Sequence, residues 1–212
     1  MPLEAVEQEK NDPVGFSSEF IRCQWQIWRD IHMTDSKKKS GWSDLKRRLA
    51  DLDRTALLGL IQDLYAADRK NQLFLHARFA LVEDVLGPYK AVISRWVCPD
   101  VMRNQDVSIS KAKKAISDYR KAVGHPEGIA ELMVFYCESC RDFLGSCGME
   151  DDVFYDALIL MFGQALKAIA KLEPDQRKAF FDRLERVRQE AQSCGWGVGD
   201  EMDDLMEEYG SA

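Results

Sequence analysis

The chain has 212 residues, 46% of them hydrophobic and 31% charged, and carries a formal net charge of −7. That length suits one domain with or without an extension, and the apolar content suffices for a core, which excludes a wholly disordered chain. The acidic balance gives no global attraction to nucleic acid or an anionic membrane, and no apolar run approaches the roughly 18–20 residues that span a bilayer.

The first forty residues differ from the rest. "MPLEAVEQEKNDPVGF" is acidic and lacks the basic and then apolar order of a secretory signal. A cytoplasmic location is therefore expected, with Cys23, Cys98, Cys137, Cys140, Cys147 and Cys194 as reduced thiols rather than a disulfide framework. Residues 1–41 read as a flexible extension ending in the charge run "TDSKKKSG". Inside it, Phe20, Ile21, Trp25, Trp28 and Ile31 share one face of a short helix, which reads either as a docking peptide or as a loosely held arm. A third reading, with Met33 as the natural start, stays open.

Residues 42–212 read as a single helical domain. Ser43 is expected to cap a short helix through about Asp51. Asp53 caps "RTALLGLIQDLYAAD", where Leu57, Leu60, Ile61, Leu64 and Tyr65 recur at helical spacing. "NQLFLHARFALVEDVL" continues with Leu73, Phe74, Ala77 and Leu81. Gly87-Pro88 interrupts, "YKAVISRWV" resumes, and Pro99 with "DVMRNQDVS" makes a loop. Ser110 opens "KAKKAISDYRKAV", which Gly124-His125-Pro126 ends. The next helix runs to about Leu144, where Gly145 and Gly148 mark a turn. "DDVFYDALILMFGQALKAIAKL" is apolar almost all round, apart from a strip of Asp156, Gln164, Lys167 and Lys171, as expected of a central helix. Pro174 starts a helix with Phe180, Phe181, Leu184 and Val187 as its core stripe. "GWGVG" is a turn, and an acidic helix from Asp200 to Tyr209 closes the chain. With no sustained β-alternation, the class is all-α: eight or nine mostly antiparallel helices in an irregular bundle or short α-solenoid.

"CESCRDFLGSCG" carries the one conspicuous chemical pattern. Cys137 and Cys140 fall on or beside the stripe Ile129, Met133, Tyr136 and Phe143, where cysteine packs as a small hydrophobe. A zinc site would need paired ligands that Cys147, Cys194 and His125 do not supply, and a thioredoxin-like pair would need a preceding strand. No metal, cofactor or catalytic residue is assigned. His32, His76 and His125 sit in no motif. The acids Asp151 and Asp200 suit helix starts, and the remaining C-terminal acids a solvated face, with Met202, Leu205, Met206 and Tyr209 turned inward.

The basic helix "SKAKKAISDYRKAV" is the candidate site. Ala112, Ala115, Ile116, Tyr119 and Val123 fill one arc, and Lys113, Lys114, Arg120 and Lys121 fill the opposite one. Six Lys or Arg against two Asp between Arg103 and Lys121 give a local +4. The plain reading is a solvated face, with the acidic C-terminal helix as its natural complement. The sharper one is a surface for a polyanion, though with no aromatic free for base stacking.

Four stretches, "ALLGLIQDLYAADRKNQLFLHARF", "SKAKKAISDYRKAVGHPEGIAELMVFY", "DDVFYDALILMFGQAL" and "GWGVGDEMDDLMEEYG", together resemble a family of small bacterial proteins known only as a domain of unknown function. The resemblance spans about residues 45–210. It implies an all-helical fold and no catalytic residue. The expected function is non-enzymatic, binding a protein partner or a second copy. The alternative is nucleic acid or another polyanion on the basic face, and an enzyme whose site assembles only in space ranks third.

Overall fold

Local punctuation sets most of the helix boundaries. The computed structural model describes residues 41–147, 151–195 and 197–209, which form nine α-helices, one 3₁₀ turn and no strand. The extension assigned to residues 1–41 lies outside these apart from Gly41. The chain divides into two units, Met1–Gly59 and Leu60–Ala212.

In the first unit α1 (Trp42–Ala50) starts two residues earlier than expected. Gly41 stands at its N-cap without a side-chain bond, so Ser43 lies inside the first turn and does not cap. Asp53 does cap: its carboxylate accepts from the Ala56 N–H at 2.7 Å and starts α2 (Arg54–Ala67). Neither α1 nor α2 has a buried residue.

The second unit takes the end of α2 and then α3 (Arg69–Arg78), α4 (Gly87–Val97), the 3₁₀ turn Val101–Arg103, α5 (Ile109–Ala122), α6 (Pro126–Cys147), α7 (Asp152–Ile169), α8 (Pro174–Ala191) and α9 (Val198–Tyr209). The α3 helix stops at Arg78, short of the expected Leu81. Ala80 takes φ 49° and the Leu81 N–H donates to the His76 carbonyl at 2.9 Å, a left-handed closure that is usually built on glycine. Ser108 rather than Ser110 sits at the α5 N-cap. The α6 helix runs through Gly145 to Cys147, because an interior glycine costs only about 1 kcal/mol and a helix this well packed absorbs it. Asp151 caps α7 through the N–H groups of Val153 and Phe154.

The core is built by α4–α9, with Ala77 of α3 at its edge. The α6 helix packs against α4, α5, α7 and α8, while α9 closes over α7 and α8. One helix with four neighbours makes a bundle rather than a pairwise-stacked solenoid. The α6 and α7 helices share the centre, because both are apolar around most of their circumference. Tyr136, Phe154, Phe162, Leu132, Leu158, Leu166 and Leu184 are fully buried, each such apolar side chain stabilising the fold by about 1.5–3 kcal/mol. Packing reaches van der Waals limits at Gly128, where a Cβ would lie 2.0 Å from the Tyr119 hydroxyl. Tyr119 meets Tyr89 edge-on, with ring centroids 5.4 Å apart, and so ties α4, α5 and α6 together.

Candidate interaction surfaces

The basic arc of α5 faces solvent as its periodicity requires. Lys114, Arg120 and Lys121 are exposed and Lys113 is partly covered, while Ala112, Ala115, Ile116 and Tyr119 are buried. Lys114 is bound within its own helix, to Asp118 at 2.8 Å. Arg120 and Lys121 form no ion pair among the described residues. The acidic α9 packs on α7 and α8, and its Asp203 binds Arg188, so the two helices do not neutralise each other. The arc also gains neighbours the sequence did not announce. The Lys111 ammonium lies 3.7 Å from the Trp96 ring centre, and the Arg95 guanidinium 4.4 Å from it. Arg95 and Trp96 come from α4, so only folding joins them to the basic helix.

The cysteine pattern is packing. Cys137 and Cys140 are fully buried, and burial pushes both thiols up, away from the reactive thiolate. The Tyr136 hydroxyl is buried beside the Cys140 thiol, and burial pushes it up as well. Cys98 and Cys194 are partly buried, Cys147 is exposed, and Cys23 lies outside the described residues. No three His, Cys, Asp or Glu side chains converge as metal ligands among the described residues. His76 accepts or donates a 3.0 Å bond with the Tyr65 hydroxyl, His125 sits exposed in its turn, and His32 lies outside the described residues.

Charge is concentrated where three helices meet. Arg183 of α8 reaches Glu138 of α6 through two bonds of 2.6 and 2.8 Å, and it also binds Glu131. Lys90 of α4 completes the set at 2.6 Å from Glu131. Burial alone would raise the Glu131 carboxyl, but the bonds from Arg183 and Lys90 outweigh it and hold the group below the usual carboxylate value. Two carboxylates and two cations balance, so this is a clamp between helices rather than an acid–base pair. The sequence hinted at it only through the seven-residue spacing of Glu131 and Glu138; Arg183 comes 45 residues later. A shallow depression of about 360 Å³ between α8 and α9 is lined by Glu185, Arg188, Asp203, Met206 and Glu207. Its guanidinium is already committed to Glu185 and Asp203.

The largest departure from expectation is apolar. The α2 stripe, spaced as the apolar face of an amphipathic helix, is open to solvent, with Leu64 51% exposed. Phe79 and Leu81, just beyond α3, are 67% and 66% exposed. Of the thirteen large hydrophobic side chains exposed among the described residues of the second unit, eight lie between Leu60 and Val82. Here α2 is joined to α3 by polar ties: Tyr65 to His76, the Asn71 amide to the Leu64 carbonyl at 2.7 Å, and the Gln72 amide to the Tyr65 carbonyl at 3.1 Å. These bonds position the helix and leave its leucines uncovered.

Compared with protein-family models, curated proteins and solved structures, the chain matches none. No helix among the described residues is long and apolar enough to cross a membrane.

Proposed function

We propose that this chain is a cytoplasmic, non-enzymatic helical module that binds another polypeptide through the apolar face between Leu60 and Val82. The concentration of exposed large hydrophobic side chains in that stretch carries the reading. Large apolar side chains exposed in such number over one stretch mark an interaction site, because leaving them in water forgoes the burial that stabilises everything else in the fold. The α4–α9 core, by contrast, is closed. The charged side chains where α4, α6 and α8 meet are engaged in balanced ion pairs, which suits a rigid scaffold better than proton transfer. The test is a pull-down with the wild-type chain and with Ile61→Glu/Leu64→Glu. Both positions are exposed, so the fold should survive, and capture should fall at least tenfold. Unchanged capture would contradict the reading.

A second reading rests on a separate observation, the gathering of Arg95 and Lys111 on Trp96 beside the basic arc. It assigns that surface to a polyanion, held through counterion release and therefore weakened steeply by salt. Titration of DNA and RNA at two salt concentrations, with the wild type and with Lys113, Lys114, Arg120 and Lys121 all changed to Gln, decides it. Equal behaviour of the two proteins would retire this reading.

A further inference from the structure

We infer that the partner of the basic surface on α4 and α5 is a nucleic acid gripped by its phosphate backbone, with Trp96 positioning the two cations that anchor it. The inference rests on reading that surface as a polyanion site, and it commits to the polyanion.

The cations of this surface lack the carboxylates that their counterparts hold. Lys90, Arg141, Arg183 and Arg188 are each paired with an acid. Arg95, Lys111, Lys113, Arg120 and Lys121 form no ion pair among the described residues, in a chain whose net charge is −7. Trp96 then draws two of them together. The Lys111 ammonium and the Arg95 guanidinium lie 3.7 and 4.4 Å from the centre of the same ring, with no carboxylate paired to either. Attraction to the ring offsets their mutual repulsion and places both before a ligand arrives. A guanidinium fork beside an ammonium is the complement of a phosphate group.

The form of the surface separates a nucleic acid from an acidic protein. Lys111, Lys114, Asp118 and Lys121 follow at i, i+3, i+7 and i+10, so three cations lie along one line of α5 with a single acid, which Lys114 holds. From Lys111 to Lys121 that line is about 15 Å long. At about 3.4 Å of rise per nucleotide in one strand, it faces about four phosphates. The exposed Ser110 adds a hydroxyl of the kind that binds phosphate oxygens. No large hydrophobic side chain from Arg103 to Ser146 is exposed among the described residues. A protein partner would need an apolar centre there; a phosphate backbone needs none.

The experiment is a fluorescence-anisotropy titration of the full chain against a labelled mixed-sequence DNA of about 20 base pairs, with polyglutamate as competitor, at salt from about 50 to 200 mM. With about five phosphates neutralised, affinity should fall about 500-fold across that range. Lys111→Gln and, separately, Lys121→Gln should each flatten the log–log salt slope by about one. Both residues are exposed, so the fold should survive, as circular dichroism would show. Lys178→Gln, an exposed lysine of α8, should leave the slope unchanged. Trp96→Leu keeps every charge and should weaken binding at least fivefold with the slope held, while Trp96→Phe, which keeps a ring, should bind as the wild type does. Polyglutamate competing as well as unlabelled DNA of equal charge would overturn the nucleic acid and leave the polyanion reading standing. No binding to either polymer at the lowest salt would overturn both. Equal losses from Lys178→Gln and Lys111→Gln would overturn the surface, and wild-type affinity in Trp96→Leu would overturn the positioning role.

Discussion

Replacing Arg183 with Met tests whether charge at the meeting of α4, α6 and α8 holds the bundle together. Methionine keeps most of the volume and removes the fork that serves both Glu131 and Glu138. The three side chains are only 17–22% exposed, so the loss belongs near the buried limit. Breaking a buried pair costs about 3–5 kcal/mol, and partial contact with water brings the expectation to about 2–3 kcal/mol. Lys90 still serves Glu131, while Glu138 is left without its partner. For a chain of this size about 1 kcal/mol moves Tm by about 2–4 °C, so Tm should fall by about 5–10 °C at pH 7.

The pH dependence sharpens the test. The folded Glu131 carboxyl lies below its ordinary value of 4.5. Its contribution is therefore fully present above the unfolded value and is lost as pH falls through the folded one. The gap between wild type and variant should be widest near neutrality and should narrow as the medium is acidified past the ordinary carboxylate value, as thermal melts followed by circular dichroism would show. A gap that does not narrow at all on acidification would assign the loss to packing. A loss under about 1 °C would mean that water already screens the network.

Two further outcomes follow from the core. In the native chain Cys137 and Cys140 should resist a thiol reagent at pH 8 while Cys147 reacts promptly, and Cys137→Ala/Cys140→Ala should stay helical with a loss of about 1–3 kcal/mol; chelator-induced unfolding with stoichiometric zinc would contradict this. Gly128→Ala should cost about 2–3 kcal/mol in denaturant melts, because the new methyl meets the buried Tyr119 ring with no room to give; a neutral result would mean that α5 and α6 separate easily.

The helices were legible in the sequence because their signals are local. Asp53 and Asp151 cap, Pro126 and Pro174 open helices, and Gly124 at φ +70° closes one, each needing only neighbours within a few residues. The basic arc was legible for the same reason. What failed was the fate of the α2 stripe. Leu60, Ile61 and Leu64 carry the same periodicity as Phe180, Leu184 and Val187, which are buried. Periodicity shows that a helix has an apolar face, not what covers it. The Arg183 clamp and the Trp96 cluster were hidden because their defining contacts, Arg183 to Glu131 and Lys111 to Trp96, join residues 52 and 15 positions apart.

The claim that the Leu60–Val82 face meets another polypeptide is tested most directly by photo-crosslinking in cells. Benzoylphenylalanine would replace Leu64, and in a separate chain Leu160, whose 54% exposure nearly matches the 51% of Leu64 but which lies on α7, away from the face. Irradiation should give a discrete adduct from position 64 and none from position 160. Equal labelling from the two positions, or no adduct beyond the chain itself from position 64, would contradict the account.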